Sequence, residues 1–579
     1  MPIRDFVIVK GINLLVKFLR KLNYLIQKVI NLKVEKAVVT SALPYANGEI
    51  HLGHIVSTYL PADIFTRFLK LSGKKAFHIC GTDDFGVPVL IMAEKEKKKP
   101  SEFVKEWWER DRKDFKSAGI DFDIFDQTSS LESVKLVQHF FTALNKKGFI
   151  FTQEVEQFYC ENDKKFLPDR YVLGKCPYCG AENQYGDVCE NCGRTYAATD
   201  LINPKCAIDG SNPIRKKSLH YFFKLSKFSG KLKEWLENNK ELQPEVTNYL
   251  LQWIKEGLRD WDITRDMTWG VKIPLKEAEG KCLYGWFDNH LSYISFALKL
   301  LKEKKIDGKK FFNEAKIYHF IGKDIVYHHY LFLPAMRMGE GSFKLPDALP
   351  TRGHLLLQGK KFSKSRGVYI GLREFLEAFP ADYLRYYLSS ITPYDLSEIN
   401  FNWDEFQAKI NNELVATIGN FIHRTLSFIN SNFEGAVPKP IKYDDLDKEF
   451  IERIKKVSLE VGKEIEKNEI QRGLKKILEF GAFCNQYFQK KEPWKTKDTN
   501  TLYLSVNAVR TLAIVLYPYI PFGAEKLWKL LNLKGRVSEQ TWESSSELKI
   551  KPKHKIQRAE ILFRKVEDEE IKKQKEKLK

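Results

Sequence analysis

From residue 37 to residue 119 the chain alternates short apolar runs with longer amphipathic stretches, and no other feature restricts its fold as much. The run AVVTSA at 37–42 leads to a helical pattern through Phe65 and Leu69, then to KKAFHICGTDDFG, then to a charged amphipathic stretch at 101–119. Strand, helix, strand, helix in this order predicts βαβ units, and hence an α/β domain built on a Rossmann-type, doubly wound parallel sheet. Pro61 falls inside the first helix and predicts a kink or a late start there. Open sheets of this kind bind ligands beyond the carboxyl ends of their strands. The segment LPYANGEIHLGH at 43–54 sits at such an end, where one proline, two glycines and two histidines are packed into twelve residues.

A helix starting near Gly53 offers unpaired backbone N–H groups and a positive dipole end, and His51 and His54 add side-chain donors. This set suits a phosphate, and such donors stabilise charge developing on a phosphoryl group. A histidine pair bracketing a turn also serves as a cap or as packing. A second basic element, GKKFSKSRG at 359–367, joins small and hydroxyl residues to Lys360, Lys361, Lys364 and Arg366. Taken alone it reads equally as an ordinary solvated loop.

One core cannot hold 579 residues; at about 150 residues per domain, three or four are expected. The βαβ pattern breaks near residue 150, a Gly- and Cys-rich segment follows, and strand-like sequence returns in KIYHFIGKDIVYHHYLFLPAM at 316–336. Long helical repeats such as KINNELVATIGNFIHRTLSFI begin near residue 402 and predict a separate all-helical domain. The division expected is a basic amphipathic extension at 1–33, a catalytic sheet domain in two halves at 34–150 and 266–335, and an insertion at 151–265. A basic-loop region at 336–400, a helical bundle at 401–545 and a charged C-terminal segment at 546–579 complete it. Segment 1–33 carries seven basic side chains and one acid, with apolar positions at helical spacing. It reads as a packing appendage, a membrane-surface or targeting helix, or an over-extended translation start. Its longest apolar run, Phe6 to Val9, is far short of the roughly 20 residues needed to span a bilayer, so no stable membrane insertion is expected.

Four of the nine cysteines form Cys176-x2-Cys179-x9-Cys189-x2-Cys192. Two tight thiolate turns match one tetrahedral zinc, and four protein ligands leave no open position, so the metal is expected to be structural. Cys80, Cys160, Cys206, Cys282 and Cys484 follow no regular spacing, which points away from a disulfide scaffold and toward a reducing cytoplasm. The balance of 95 basic to 75 acidic residues favours a polyanionic partner such as nucleic acid, although lysine chosen for solubility gives the same balance.

HLGH and KFSKS together resemble the HIGH and KMSKS signatures of class I aminoacyl-tRNA synthetases. ALPYANGEIHLGH, CGTD, WDITRD, HFIGKDIVYHH and KKFSKSRG occur in the order found in methionyl-tRNA synthetases, over residues 34–563. The interval from 150 to about 266 is too short for the larger editing insertion of leucyl, isoleucyl and valyl relatives. The resemblance implies a methionine–tRNA ligase whose partners are ATP with Mg2+, L-methionine and tRNA(Met). His51 and His54, with Lys361 and Lys364, would be catalytic; Gly53, Ser363, Asp324 and Arg265 would join them around ATP, the last two as a possible pair. Methionine would lie among Ala42, Leu43, Tyr45, Asp83, Trp286, Tyr293, Ile325 and His329, with Asp83 facing its ammonium. Asn420, Arg424 and Trp494 would read the anticodon. Some relatives carry a second knuckle; here Asp209, not a cysteine, follows Cys206 at that spacing, so one zinc is the count expected. The chain ends without the OB-like extension of dimeric relatives, and a monomer is expected.

The sequence departs from that pattern at Phe85, where histidine is usual, at Val87 for threonine, at Asn289-His290 for a small residue and proline, and at Arg352 for histidine. Three other functions stay open on the residues alone: a non-catalytic tRNA-binding paralogue that keeps the zinc knuckle, another synthetase specificity, and a small-molecule adenylyltransferase sharing the histidine motif.

Overall fold

The computed structural model describes residues 35–577, except 169, 170, 187, 188, 190, 193, 195, 285 and 362–368. The segment 1–33, and Ser363, Lys364 and Arg366, therefore lie outside the described residues.

Five parallel strands form the central sheet in the order Thr351–Arg352, Lys316–Gly322, Lys36–Ser41, Lys75–Thr82, Ile124–Gln127. Val38 stands opposite Ile317 on one side and Phe77 on the other. The inner strands are buried on both faces, which is why they read as continuous apolar runs rather than as alternation. From Lys36–Ser41 the chain first builds outward to Lys75–Thr82 and Ile124–Gln127, and only later returns to add Lys316–Gly322 on the opposite side. The order reverses there. The crevice between the carboxyl ends of Lys36–Ser41 and Lys316–Gly322 is thus the switch point at which such sheets bind ligands.

The first crossover corrects the expectation at Pro61. Helical residues run unbroken through 52–71, with Ile55–Tyr59 opened into a π turn and Pro61 in the first turn of the regular helix Leu60–Leu71. The Leu60 N–H reaches back to the Ile55 carbonyl, and the wide turn accommodates the ring that would otherwise clash with the preceding turn. A second correction concerns 316–336. Only Lys316–Gly322 is strand; from Lys323 the backbone turns helical, with a π turn at His328–Phe332 and the helix Leu333–Glu340. Val326, Tyr330, Leu331 and Phe332 there are buried and Ile325 and Tyr327 partly so, so packing and not strand propensity sets the backbone.

Between the two halves of the sheet, Ile150–Cys160 pairs antiparallel with Ile214–Phe223, and Trp261–Asp262 extends that sheet. The loops between these strands carry the paired cysteines. Beyond residue 403 the chain is helical; Asp445–Glu466, Ile470–Lys491 and Thr499–Leu516 pack together, and residues 500–516 of the last are all buried, as expected of a central helix. A buried charge network joins bundle to sheet. Arg385 donates to Asp63 on Leu60–Leu71 at 2.6 Å and to the carbonyls of Pro518 and Tyr519 at 2.7 and 2.8 Å. Burial alone would push the Asp63 carboxyl up, but Arg67 and Arg385 beside it hold it at about 2. No described helix is long and apolar enough to cross a membrane.

Candidate active site

The switch-point crevice opens into a cavity of about 800 Å3. Ala42, Leu43 and Tyr45 line it from the end of the first strand, and His51, Gly53 and His54 from the start of the first helix. Asp324, Ile325 and His329 enter from beyond Lys316–Gly322, with Trp286 and Tyr293 on the remaining wall. Both π turns, Ile55–Tyr59 and His328–Phe332, border it, a placement common at functional sites.

The two imidazoles stack, with centroids 3.7 Å apart and planes inclined by 17°. The His51 backbone N–H donates to His54 Nδ1 at 3.2 Å, and the His54 N–H donates to the His51 carbonyl at 2.9 Å. With Nδ1 an acceptor, the ring proton of His54 resides on Nε2. The turn is clamped to the segment after the basic loop: Leu52 N–H donates to Ile370 O at 3.2 Å, Leu372 N–H to Ile50 O at 2.9 Å, and His51 bridges Gly371. The other end of the loop, the strand Lys360–Lys361, pairs with Leu355–Leu357, whose Leu355 and Leu356 line the cavity. Both stems of that loop are therefore anchored at the cavity.

Adjoining this cavity, and sharing Tyr45, Trp286 and Asn289 with it, a pocket of about 50 Å3 is lined by Asp83 and Asp288. The turn holding Asp83 is fixed by Asp83 N–H to Pro44 O at 2.7 Å and Ala46 N–H to Asp83 O at 2.9 Å. Burial and the nearby Asp288 charge push the Asp83 carboxyl well above the usual range; burial likewise pushes Asp288 up to about 7. Two desolvated carboxylates facing one pocket call for a cation. Beside them, His329 Nδ1–H donates to Ile325 O at 3.0 Å, so its Nε2 accepts from the Tyr293 hydroxyl at 3.1 Å. Burial holds His329 at about 4, leaving a neutral ring in an aromatic pocket. Trp286 adopts φ 73°, a region that bulky residues rarely occupy, and stacks on His328 at 4.4 Å. Strain of this kind marks a site whose surroundings over-determine it.

Arg265 does not join Asp324 as a pair: it donates to Asp262 at 2.9 Å, while Asp324 accepts from His354 at 3.1 Å. The turn at Asp262–Thr264 holds the guanidinium on the insertion side, and Arg265 is not among the residues lining the cavity. Of the departures, Phe85 packs against Trp269 at 5.3 Å, and Val87 is buried at the start of Val87–Lys95. Arg352 is buried and donates to the Asn468 carbonyl at 2.6 Å, joining the edge strand to the helical bundle.

The thiols of Cys176, Cys179, Cys189 and Cys192 all lie within 4.8 Å of one another, with separations of 3.9 Å for Cys176–Cys192 and 3.5 Å for Cys179–Cys189. Tetrahedral thiolates at about 2.3 Å from zinc stand about 3.8 Å apart, so the donor set fits such an ion. A second cluster forms at the knuckle spacing of Cys206 and Asp209: they meet Cys160 and Asp163, again within 4.8 Å, and this second half is what the sequence reading lacked. Cys206 N–H to Ser211 O and Gly210 N–H to Cys206 O repeat the turn of Cys176 N–H to Ala181 O and Gly180 N–H to Cys176 O. The visible signal was the pair of C-x2-D spacings at 160–163 and 206–209.

Far along the chain, Asn420 and Arg424 line a groove of about 580 Å3 with Asn485, Gln486 and Gln489 of Ile470–Lys491. The Arg424 guanidinium lies 4.9 Å from the Phe488 ring and 5.2 Å from the Trp494 ring. The three amides were not foreseen, although their spacing places them on one helical face.

Residues 37–426 match the family model for tRNA synthetases class I (M), and 447–579 the one for the anticodon-binding domain of tRNA ligase. Fold and site together define a class I aminoacyl-tRNA synthetase. The chain is 43% identical over 558 residues to a methionine–tRNA ligase of Pyrococcus furiosus, covering 92% of this chain and 76% of that protein. It is 43% identical to the one of Methanopyrus kandleri, covering 93% and 81%. A Mycobacterium tuberculosis methionyl-tRNA synthetase solved with methionyl-adenylate superposes with a TM-score of 0.76 at 22% identity, over 92% of this chain and all of that one, and supports the fold. The chain belongs to the methionine–tRNA ligase family.

Proposed function

We propose that this chain activates L-methionine with ATP and transfers the methionyl group to tRNA(Met), releasing pyrophosphate and AMP. One observation carries the reading: at the switch point, a stacked histidine pair lines the large cavity, and a buried carboxylate pair lines the small pocket that shares Tyr45, Trp286 and Asn289 with it. In the first step a carboxylate oxygen of methionine bonds to the α-phosphorus as the bond to pyrophosphate breaks. In the second, the terminal hydroxyl of the tRNA attacks the activated carbonyl and AMP leaves. Neither step needs an enzyme nucleophile, so catalysis is positioning and charge stabilisation. His51 and His54 serve the phosphates; Lys361, Ser363 and Lys364, carried on the loop anchored at the cavity, close over them, and Mg2+ enters with ATP as part of the substrate. Asp324 and Gly53 border the nucleotide, and Arg265 supports the site from the insertion side. Asp83 takes the methionine ammonium, and Trp286, Tyr293, Ile325 and His329 surround its thioether, which favours aromatic edges.

ATP–pyrophosphate exchange with each of the twenty amino acids tests the reading. Exchange driven by methionine, followed by charging of tRNA(Met), is the expected result. Exchange without charging would instead mark an adenylyltransferase, and tRNA binding without exchange a non-catalytic paralogue.

One zinc held by Cys176, Cys179, Cys189 and Cys192 would pin the insertion without an open position for water. At the second cluster, Asp209 already accepts from Asn162 at 2.9 Å and from the Ser211 hydroxyl at 2.7 Å, and Cys206 Sγ lies 3.4 Å from Asp163 Oδ2, so hydrogen bonds close that turn. Metal analysis of the purified chain should accordingly return one zinc per chain, lost in Cys189→Ser; two equivalents would assign an ion to the second turn as well.

Asn420, Arg424 and Trp494 read the anticodon, the indole and the guanidinium offering stacking planes and the amide a base-edge partner. Base stacking on an aromatic is worth about 1–3 kcal/mol. Trp494→Ala should therefore lower kcat/KM for tRNA charging by roughly 5- to 150-fold and leave exchange intact; equal loss of both would remove the tryptophan from this role. The unpaired thiols of Cys80 and Cys484 suit the reducing cytoplasm.

A further inference from the structure

Asn289 opens the helix Asn289–Glu303 directly after Asp288 and is 7% exposed. It lines both the 50 Å3 pocket beside the two carboxylates and the 800 Å3 cavity. Its Nδ2 donates to Asp83 Oδ2 at 3.1 Å. The ionised carboxylate, the form that binds an ammonium, accepts and does not donate, so in that form this bond fixes which way the amide faces: nitrogen toward Asp83, oxygen away from it. That oxygen, Oδ1, is buried and has no hydrogen-bond partner among the described residues. A buried acceptor left unpaired beside a carboxylate costs stability, and the cost persists unless a donor arrives with the ligand.

We propose that Asn289 is a second recognition residue for the substrate ammonium: its carbonyl oxygen accepts one N–H of the ammonium whose charge faces Asp83, while its amide nitrogen holds that carboxylate in place. An ammonium presents three donors in a narrow cone, and one carboxylate cannot satisfy them all. Asn289 Oδ1 provides an acceptor next to Asp83 without adding a third negative charge to a pocket that already holds Asp83 and Asp288. An alanine at this position would remove both that acceptor and the bond that holds Asp83, and an aspartate would repel both neighbours. The donated bond also favours the ionised form of Asp83, opposing the burial that disfavours it. This assignment rests on the reading of Asp83 as the ammonium partner.

The test is ATP–pyrophosphate exchange by the full chain carrying Asn289→Ala, with Asp83→Asn beside it. A hydrogen bond to a charged group predicts that Asn289→Ala raises KM for methionine by about tenfold or more, with KM for ATP and kcat within about threefold of the unaltered chain. Inhibition by 4-(methylsulfanyl)butanoate, which is methionine without its amino group, should be equally strong in the unaltered chain and in Asn289→Ala. A pocket merely deformed by the substitution would weaken that inhibitor as much as methionine, and this result would overturn the assignment. An unchanged KM for methionine in Asn289→Ala alongside a large rise in Asp83→Asn would also overturn it, leaving Asp83 in its role. An unchanged KM in both variants would remove the ammonium reading of Asp83 itself.

Discussion

His54→Ala is expected to slow methionine-dependent adenylate formation by about 10²–10³-fold, the loss typical of removing one preorganised donor from a charge that develops in the transition state. The expectation follows from where the proton sits. His54 Nδ1 is occupied as acceptor of the His51 backbone N–H, which places the ring proton on Nε2, the atom that would donate to a phosphate. The ring cannot swing away cheaply, because it is stacked on His51 at 3.7 Å and its Nδ1 accepts from the His51 backbone N–H at 3.2 Å. Gly53 between the two places no side chain over the backbone amides that open the helix, so imidazole and N–H groups converge on the same charge. Alanine keeps the helix, being its best former, and removes the donor alone. Single-turnover measurement of adenylate formation isolates the step: kcat should fall while KM for methionine changes by less than about threefold, since the group acts on the phosphates and not on the amino acid. A rate within threefold of the unaltered chain would show the pair to be packing, as histidines flanking a turn often are.

How far the sequence disclosed this site depends on how local each part is. The strand-end turn was legible because glycines, histidines and the following helix are contiguous in the chain, and strand alternation fixed the parallel sheet. The thiolate set at 176–192 was legible for the same reason: two C-x2-C turns carry their own geometry. What was lost is whatever the sheet order assembles. Asn289 and Asp83 lie 206 positions apart and meet only because the later half of the sheet domain packs against the earlier one. Cys160 and Cys206 meet because Ile150–Cys160 and Ile214–Phe223 run antiparallel and bring their far ends together. The segment 316–336 misled for a different reason. Its aromatic and β-branched residues fit a strand, but after Gly322 most are buried, with Ile325 and Tyr327 partly so, and burial on more than one face blurs the period that separates strand from helix. The Arg265–Asp324 pair failed because Asp262, three positions from Arg265, supplies a nearer carboxylate.

Asp83→Asn should raise KM for methionine by roughly 30- to 1,000-fold, the range expected when one partner of a buried, hydrogen-bonded charge pair is removed and the other is left uncompensated. The pH dependence is the sharper observable. An ammonium binds Asp83 only in its ionised form, yet burial and the Asp288 charge push that carboxyl well above its usual range, and burial pushes Asp288 up to about 7. The groups facing the pair do little to oppose this. Asn289 donates one bond to Asp83. Asp84, the next carboxyl, is itself pushed up to about 6 by burial although Ser129, Thr82 and Gln127 donate to it. Its charge adds to the repulsion. Protonation therefore competes with substrate at pH values where a solitary exposed aspartate is already ionised, so the sign is fixed: kcat/KM for methionine should rise with pH as the two interacting carboxyls ionise. Removing the neighbour's charge with Asp288→Asn makes ionisation of Asp83 easier, and the rise should move to lower pH. The profile for ATP, measured at saturating methionine, should be unaffected by that change. A kcat/KM for methionine that does not rise with pH, or a rise that moves upward in Asp288→Asn, would mean that the two carboxylates do not act together on the substrate's charge, and the ammonium would have to be held elsewhere.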